Sequence, residues 1–238
     1  MTQQNVEFKL GKWVALSTSI LILVSFCFAL IALPKSGANC TSSCVSYPFT
    51  NILDFFPHDY YWMVLATMSV MVYLILMTTI HNVLSGNRKL FSHIGLQFSL
   101  MSSITLIIDY LVQLMVIQIS LTSNETEGIA LLTQYNPHGI FIALESIGYV
   151  LMSISFLFII PVLNKEIRLE RWLQIVLIVN ILLTFVSLVF IYGLFGLDVQ
   201  NRFEIAIISI NWISLIIFGV FFFKIFDNYE KGRILIDT

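Results

Sequence analysis

Apolar residues fill this chain in six long blocks, and polar residues gather in the short gaps between them. The blocks run over Trp13–Leu33, Tyr61–Leu84, Ile94–Leu121, Gly139–Leu163, Trp172–Leu197 and Ile205–Phe223. About 20 residues at a rise of ~1.5 Å cover a ~30 Å hydrocarbon core, so each block is long enough to cross a bilayer as a helix. A barrel strand would instead alternate apolar and polar residues over ~10 positions, and these runs do not alternate. The first block follows Lys9 and Lys12 as the apolar part of a signal peptide would. It is, however, longer than the usual ~7–15 residues and ends without a small-x-small cleavage site. Asn39 before Cys40 does not suit a lipoprotein-type site either. The first block therefore reads as a retained span.

Composition agrees. The 238 residues are 58% hydrophobic and 11% charged, and the mean hydropathy is +0.91. Soluble domains hold roughly 45–50% apolar and about 25% charged residues. The predicted fold class is all-α: a single-domain polytopic membrane protein, a six-transmembrane-helix bundle over residues 1–238, with the lipid bilayer as its partner. A formal net charge of −2 gives no basic surface for nucleic acid.

An even number of spans puts both termini on one side. Lys9, Lys12, Arg88, Lys89, Lys165, Arg168, Arg171, Lys224, Lys231 and Arg233 would share that side, and only Lys35 and Arg202 the other. Cytoplasmic loops carry the excess of Lys and Arg, so both termini are expected to be cytoplasmic, in a plasma or inner membrane. The gaps at 85–93, 164–171 and 198–204 are short, which makes neighbouring helices antiparallel. The tail Asp227–Thr238 is expected to fray. The two three-span halves share no Gly/Pro breaks or polar positions, so no inverted repeat is read. Gly95, Gly139, Gly148, Gly193, Gly196 and Gly219 are expected to let helices approach closely.

The gap at 34–59 would face outward and holds Cys40 and Cys44, where an oxidising compartment permits a disulfide. The alternatives are two free thiols or half a metal site, but no second thiol pair completes such a site. Cys27, inside the first span, is expected to be buried. The aromatic run from Tyr47 to Phe56 reads as an interfacial segment or a cap on the bundle. His58 and Asp59 then lead into the second span, followed by Tyr60, Tyr61 and Trp62 as an aromatic belt. The gap at 122–138 carries the sequon-like Asn124-Glu125-Thr126 and ends in Asn136-Pro137-His138-Gly139, where Pro137 favours a helix start just beyond it.

Two ionisable groups lie well inside spans: Asp109 in the third and Glu145 in the fourth. A charged carboxylate at mid-bilayer costs ~2.5–3.5 kcal/mol on insertion scales, so both should face the bundle interior. Ser102, Thr105, Asp109 and Gln113 share one helix face, as do His138, Glu145, Tyr149 and Met152 or Ser153. Two such stripes would line an outward polar cleft between spans 3 and 4, with His138 at its mouth and His58 and Asp59 at the same level. Two carboxylates at one depth cannot readily both carry charge, which suits proton uptake.

The stretch from Phe55 to Trp62, the segment Ile108-Asp109-Tyr110 and the stretch from Gln134 to Glu145 resemble parts of small bacterial or archaeal six-span integral membrane proteins with no assigned activity. The resemblance implies location and fold, and no chemistry. No mid-span lysine suits a retinal Schiff base, and no phosphate loop, HExxH or GxSxG motif occurs. No catalytic residue, metal site or cofactor is expected. Three functions follow. The first is binding or transport of a small solute, lipid headgroup or proton, with Asp109, Glu145, Gln113, Tyr149, His138, His58 and Asp59 as its residues. The second is a structural or accessory subunit whose polar groups only join helices. The third is an intramembrane enzyme using the two carboxylates as acid and base.

Overall fold

Backbone hydrogen bonding carries the helices beyond their apolar blocks, because a helix does not stop where hydrocarbon does. The structure is a computed structural model that describes residues 3–32, 34–41 and 44–232. Six long helices make it up: α1 (Gln3–Ile31), α2 (Tyr61–Asn82), α3 (Gly86–Thr122), α4 (Ile140–Ile159), α5 (Arg168–Phe195) and α6 (Arg202–Glu230). All six are long and apolar enough to cross a membrane, and no strand occurs among the described residues. The architecture is all-helical, that of a multi-pass membrane protein.

Several ends differ from the apolar blocks. α1 begins at Gln3 rather than Trp13, and α3 at Gly86 rather than Ile94. α6 starts at Arg202 and stays helical to Glu230, through the first turn of the stretch expected to fray. The expected end of the first span at Leu33, Arg233 and the rest of the tail lie outside the described residues.

Packing sets the order of the helices in space. α1 packs along α6 and α2, α2 along α3, α3 along α4, and α4 against α6. These five close into a ring, with α5 leaning on its outside against α4 and α6. Two glycines set the closest approaches. A Cβ at Gly219 would meet the Ser19 hydroxyl and lie 2.5 Å from the Ala15 carbonyl. α1 and α6 therefore touch backbone to backbone, and Ser19 donates to the Ile216 carbonyl at 2.8 Å. Where α3 meets α4, a Cβ at Gly148 would sit 2.6 Å from Leu106, and Ser102 donates to the Gly148 carbonyl at 2.8 Å. Small residues serve membrane helices in this way because lipid gives apolar side chains no drive to associate, so close packing has to. Gly193 and Gly196 correct the expectation, since both face open space at the free end of α5. Cys27 is a second correction: it is exposed on α1 rather than buried.

The two ends of the ring are filled differently. Toward the chain termini, α4 and α6 supply Phe156, Phe218, Phe222 and Phe226, whose rings follow one another at centroid spacings of 5.1, 4.6 and 5.8 Å. Lys12 closes that end with ion pairs to Asp227 at 3.2 Å and to Glu230. The other end carries the disulfide that joins Cys40 to Cys44. Here the connection after α1 folds through 3-10 turns at Thr50–Phe55 and His58–Tyr60 and buries Ile52 over the ring.

Candidate functional site

The interior at the disulfide end is polar, and each polar group comes from a helix position that faces the ring. Glu145 of α4 is fully buried, and its Oε1 accepts the Tyr110 hydroxyl of α3 at 2.6 Å. The Tyr110 and Tyr149 hydroxyls lie 2.9 Å apart, and Trp212 Nε1 of α6 donates to Tyr149 at 2.5 Å. One connected set of hydrogen bonds thus ties α3, α4 and α6 together. Asp109, one residue before Tyr110, is 2% exposed and lies in the electrostatic field of Glu145. Its Oδ2 has no hydrogen-bond partner.

A third carboxyl completes the cluster. Glu204, in the first turn of α6, is buried and stands within hydrogen-bonding reach of Glu145, with Asp109 also in its field. An ionised carboxylate offers no donor, so a hydrogen bond between the two glutamates requires a proton on one of them. No cation answers the three acids among the described residues. No three His, Cys, Asp or Glu side chains in that set are arranged to hold a metal ion.

Above Glu204 lies a cavity of about 330 Å³. Its walls are the last turns of α1, the entry to α2, the start of α4 and the first half of α6. The sequence pattern places a cleft between spans 3 and 4. The cavity lies elsewhere, and α3 contributes Asp109 and Tyr110 beside it rather than a wall. Asp59 does line it and accepts the Tyr135 hydroxyl at 3.3 Å. Burial, reinforced by the neighbouring Tyr60 and Asp59, pushes the Tyr135 hydroxyl far above the ordinary tyrosine range, which keeps it a donor.

The remaining candidates separate. Gln113 is buried but faces the loop: Nε2 donates to the Leu132 carbonyl at 2.6 Å, and Oε1 accepts the Gln134 amide at 2.9 Å. It lies in a π-helical stretch of α3, Val112–Ile117. That extra width turns the glutamine toward residues 132–134, and π-bulges often mark functional sites. Tyr149 joins the hydrogen-bonded set. His138 is exposed and lines a separate groove between α4 and α5. His58 is exposed beside the Tyr61 ring at 5.9 Å. Neither histidine reaches Asp109, Glu145 or Glu204, though His58 lies in the field of Asp59.

The residues that sequence reasoning missed are Glu204, Trp212 and Tyr110 as a bonding partner. One signal existed: Glu204, Asn211 and Ser214 fall at spacings of seven and three on one face of α6, and all three are buried. No known protein family, curated protein or solved structure matches the chain.

Proposed function

We propose that this multi-pass membrane protein binds a small solute in the cavity at its disulfide end, and that the Glu145–Glu204 pair holds an exchangeable proton beneath the bound solute. The observation that carries this reading is Glu204, a carboxyl that lines the cavity and lies in the field of a fully buried second carboxyl, Glu145. A pair whose only work was to join helices would not need an open space above it.

The ten-to-two distribution of cations turns the disulfide end outward and both termini toward the cytoplasm. The phenylalanine-filled half would then close the path inward, so the site opens to one side. One observation favours the accessory reading: Glu145 Oε1 is already satisfied by Tyr110, as a purely structural carboxyl would be.

Cysteine accessibility separates the two. Ser209 lines the cavity. In a Cys27→Ser background without reductant, Ser209→Cys should react with an anionic, membrane-impermeant thiosulfonate added to intact cells, and an excess of small solute should slow the reaction. Labelling only after permeabilisation reverses the orientation. No labelling from either side ends the solute-site reading.

A further inference from the structure

The chemistry of the cavity wall narrows the solute. Five aromatic side chains line the cavity with Glu204: Phe26, Trp62, Tyr135, Phe141 and Trp212, of which Phe26 and Trp62 are part-exposed and the other three buried. The Trp62 and Trp212 rings are 5.9 Å apart at 57°, and Phe26 meets Trp212 edge-on at 5.7 Å. Such faces attract a cation through the ring quadrupole, most strongly where water is excluded, and tryptophan does so best.

The charges point the same way. Of the two carboxyls in the wall, Asp59 feels Lys35, whose ammonium lies over the Phe55 ring at 5.3 Å. Glu204 feels only the acids Glu145 and Asp109. The site therefore offers a carboxyl with no cation beside it and the part-exposed rings of Trp62 and Phe26.

We infer that the cavity binds a small organic monocation, its ammonium against the part-exposed Trp62 ring and its charge on Glu204. This rests on the solute-site reading above and names its ligand class. The free ammonium compound and the ammonium headgroup of a lipid share this chemistry.

Charge balance gives the binding step. The cation enters, Glu204 gives its proton to water while Glu145 stays protonated, and only an O–H bond breaks, so one carboxylate answers one cation. The titratable groups around the pair are Asp109 and Tyr110 on α3 and Tyr149 on α4. Asp59, Tyr135 and Lys35 lie across the cavity. Proton and cation compete for one carboxyl, so affinity falls as pH falls.

Trp13 and Trp172 lie exposed on the outside of the bundle. With both changed to Phe, fluorescence reports the two cavity tryptophans. Such protein, in phosphatidylglycerol discs, is titrated with choline and with its uncharged isostere 3,3-dimethylbutan-1-ol. Choline should bind at least tenfold more tightly and release about one proton per site into weakly buffered solution. Glu204→Gln should lose choline binding at least tenfold while keeping its thermal midpoint, and Trp62→Leu should weaken it while leaving the proton-binding pair in place.

Discs containing phosphatidylcholine form the second arm. Quenching there that free choline competes away supports the same cation class with a headgroup as its source. Equal binding of the isostere, or choline binding untouched by Glu204→Gln, overturns the inference. Labelling of Ser209→Cys would survive that failure, so the loss of the ligand class is distinguishable from the loss of the site.

Discussion

The two halves of the ring are built from the same helices and solve opposite problems. At the termini end, α4 and α6 meet through tilted phenylalanine rings, with two polar contacts beside them: Tyr73 with Ser155 at 2.5 Å, and the Tyr229 hydroxyl donating to buried Glu170 at 3.0 Å. At the disulfide end, the same two helices meet through Glu145, Tyr149, Glu204 and Trp212. Lipid tails are as apolar as leucine, so an aromatic core in a membrane is held by fit rather than by escape from water. A polar interior is held by directed bonds and becomes costly wherever one is left unmade. The dry half therefore suits a permanent seal. On the proposed reading, the polar half would exchange a proton or a ligand without taking the helices apart.

Mutations should separate the halves, beginning with the dry one. Phe218→Ala removes a fully buried ring that contacts Phe156 and Phe222, and should cost about 3 kcal/mol through the cavity it leaves. Thermal unfolding in detergent should show this, with cation binding in the surviving folded fraction unchanged. A loss of binding without a loss of stability would mean that the halves are not separable.

Tyr149→Phe should have a smaller effect, about 2 kcal/mol, because it leaves the buried Trp212 N–H without its acceptor. The tryptophan emission should shift with it. Unchanged stability and emission would show that the network joins helices less than its geometry suggests.

Glu204→Gln should have the smallest effect on stability, under about 1 kcal/mol, since an amide can still bond to Glu145. A large destabilisation would make Glu204 a structural residue and favour the accessory reading.

The sequence made the spans legible because hydropathy reports directly on hydrocarbon contact. It blurred their ends, since helical hydrogen bonds continue into the polar interface, as Gln3–Lys12 in α1 and Gly86–His93 in α3 show. Asp109 and Glu145 stood out because each interrupts an apolar run. Glu204 did not, because it comes one residue before the run that opens at Ile205 and reads there as part of a loop. The cavity could not be placed from helical faces alone. Which faces meet depends on the ring order, and α1 packing against α6 is a pairing across nearly the whole chain. His138 shared a stripe with Glu145, yet the helix begins at Ile140 and leaves that histidine outside the regular turn.

That same pairing bears on how the molecule is made. The contact between Ser19 and the Ile216 carbonyl spans 197 positions, so α1 must wait in the membrane for its main partner until the last span has been inserted. Contacts so distant along the chain are late and slow to form, and domains emerge from the ribosome N-terminus first. Because α1 and α6 are two walls of the cavity, that space does not exist on any shorter nascent chain. A ligand present during synthesis would meet its site only at the final step, when the ring closes.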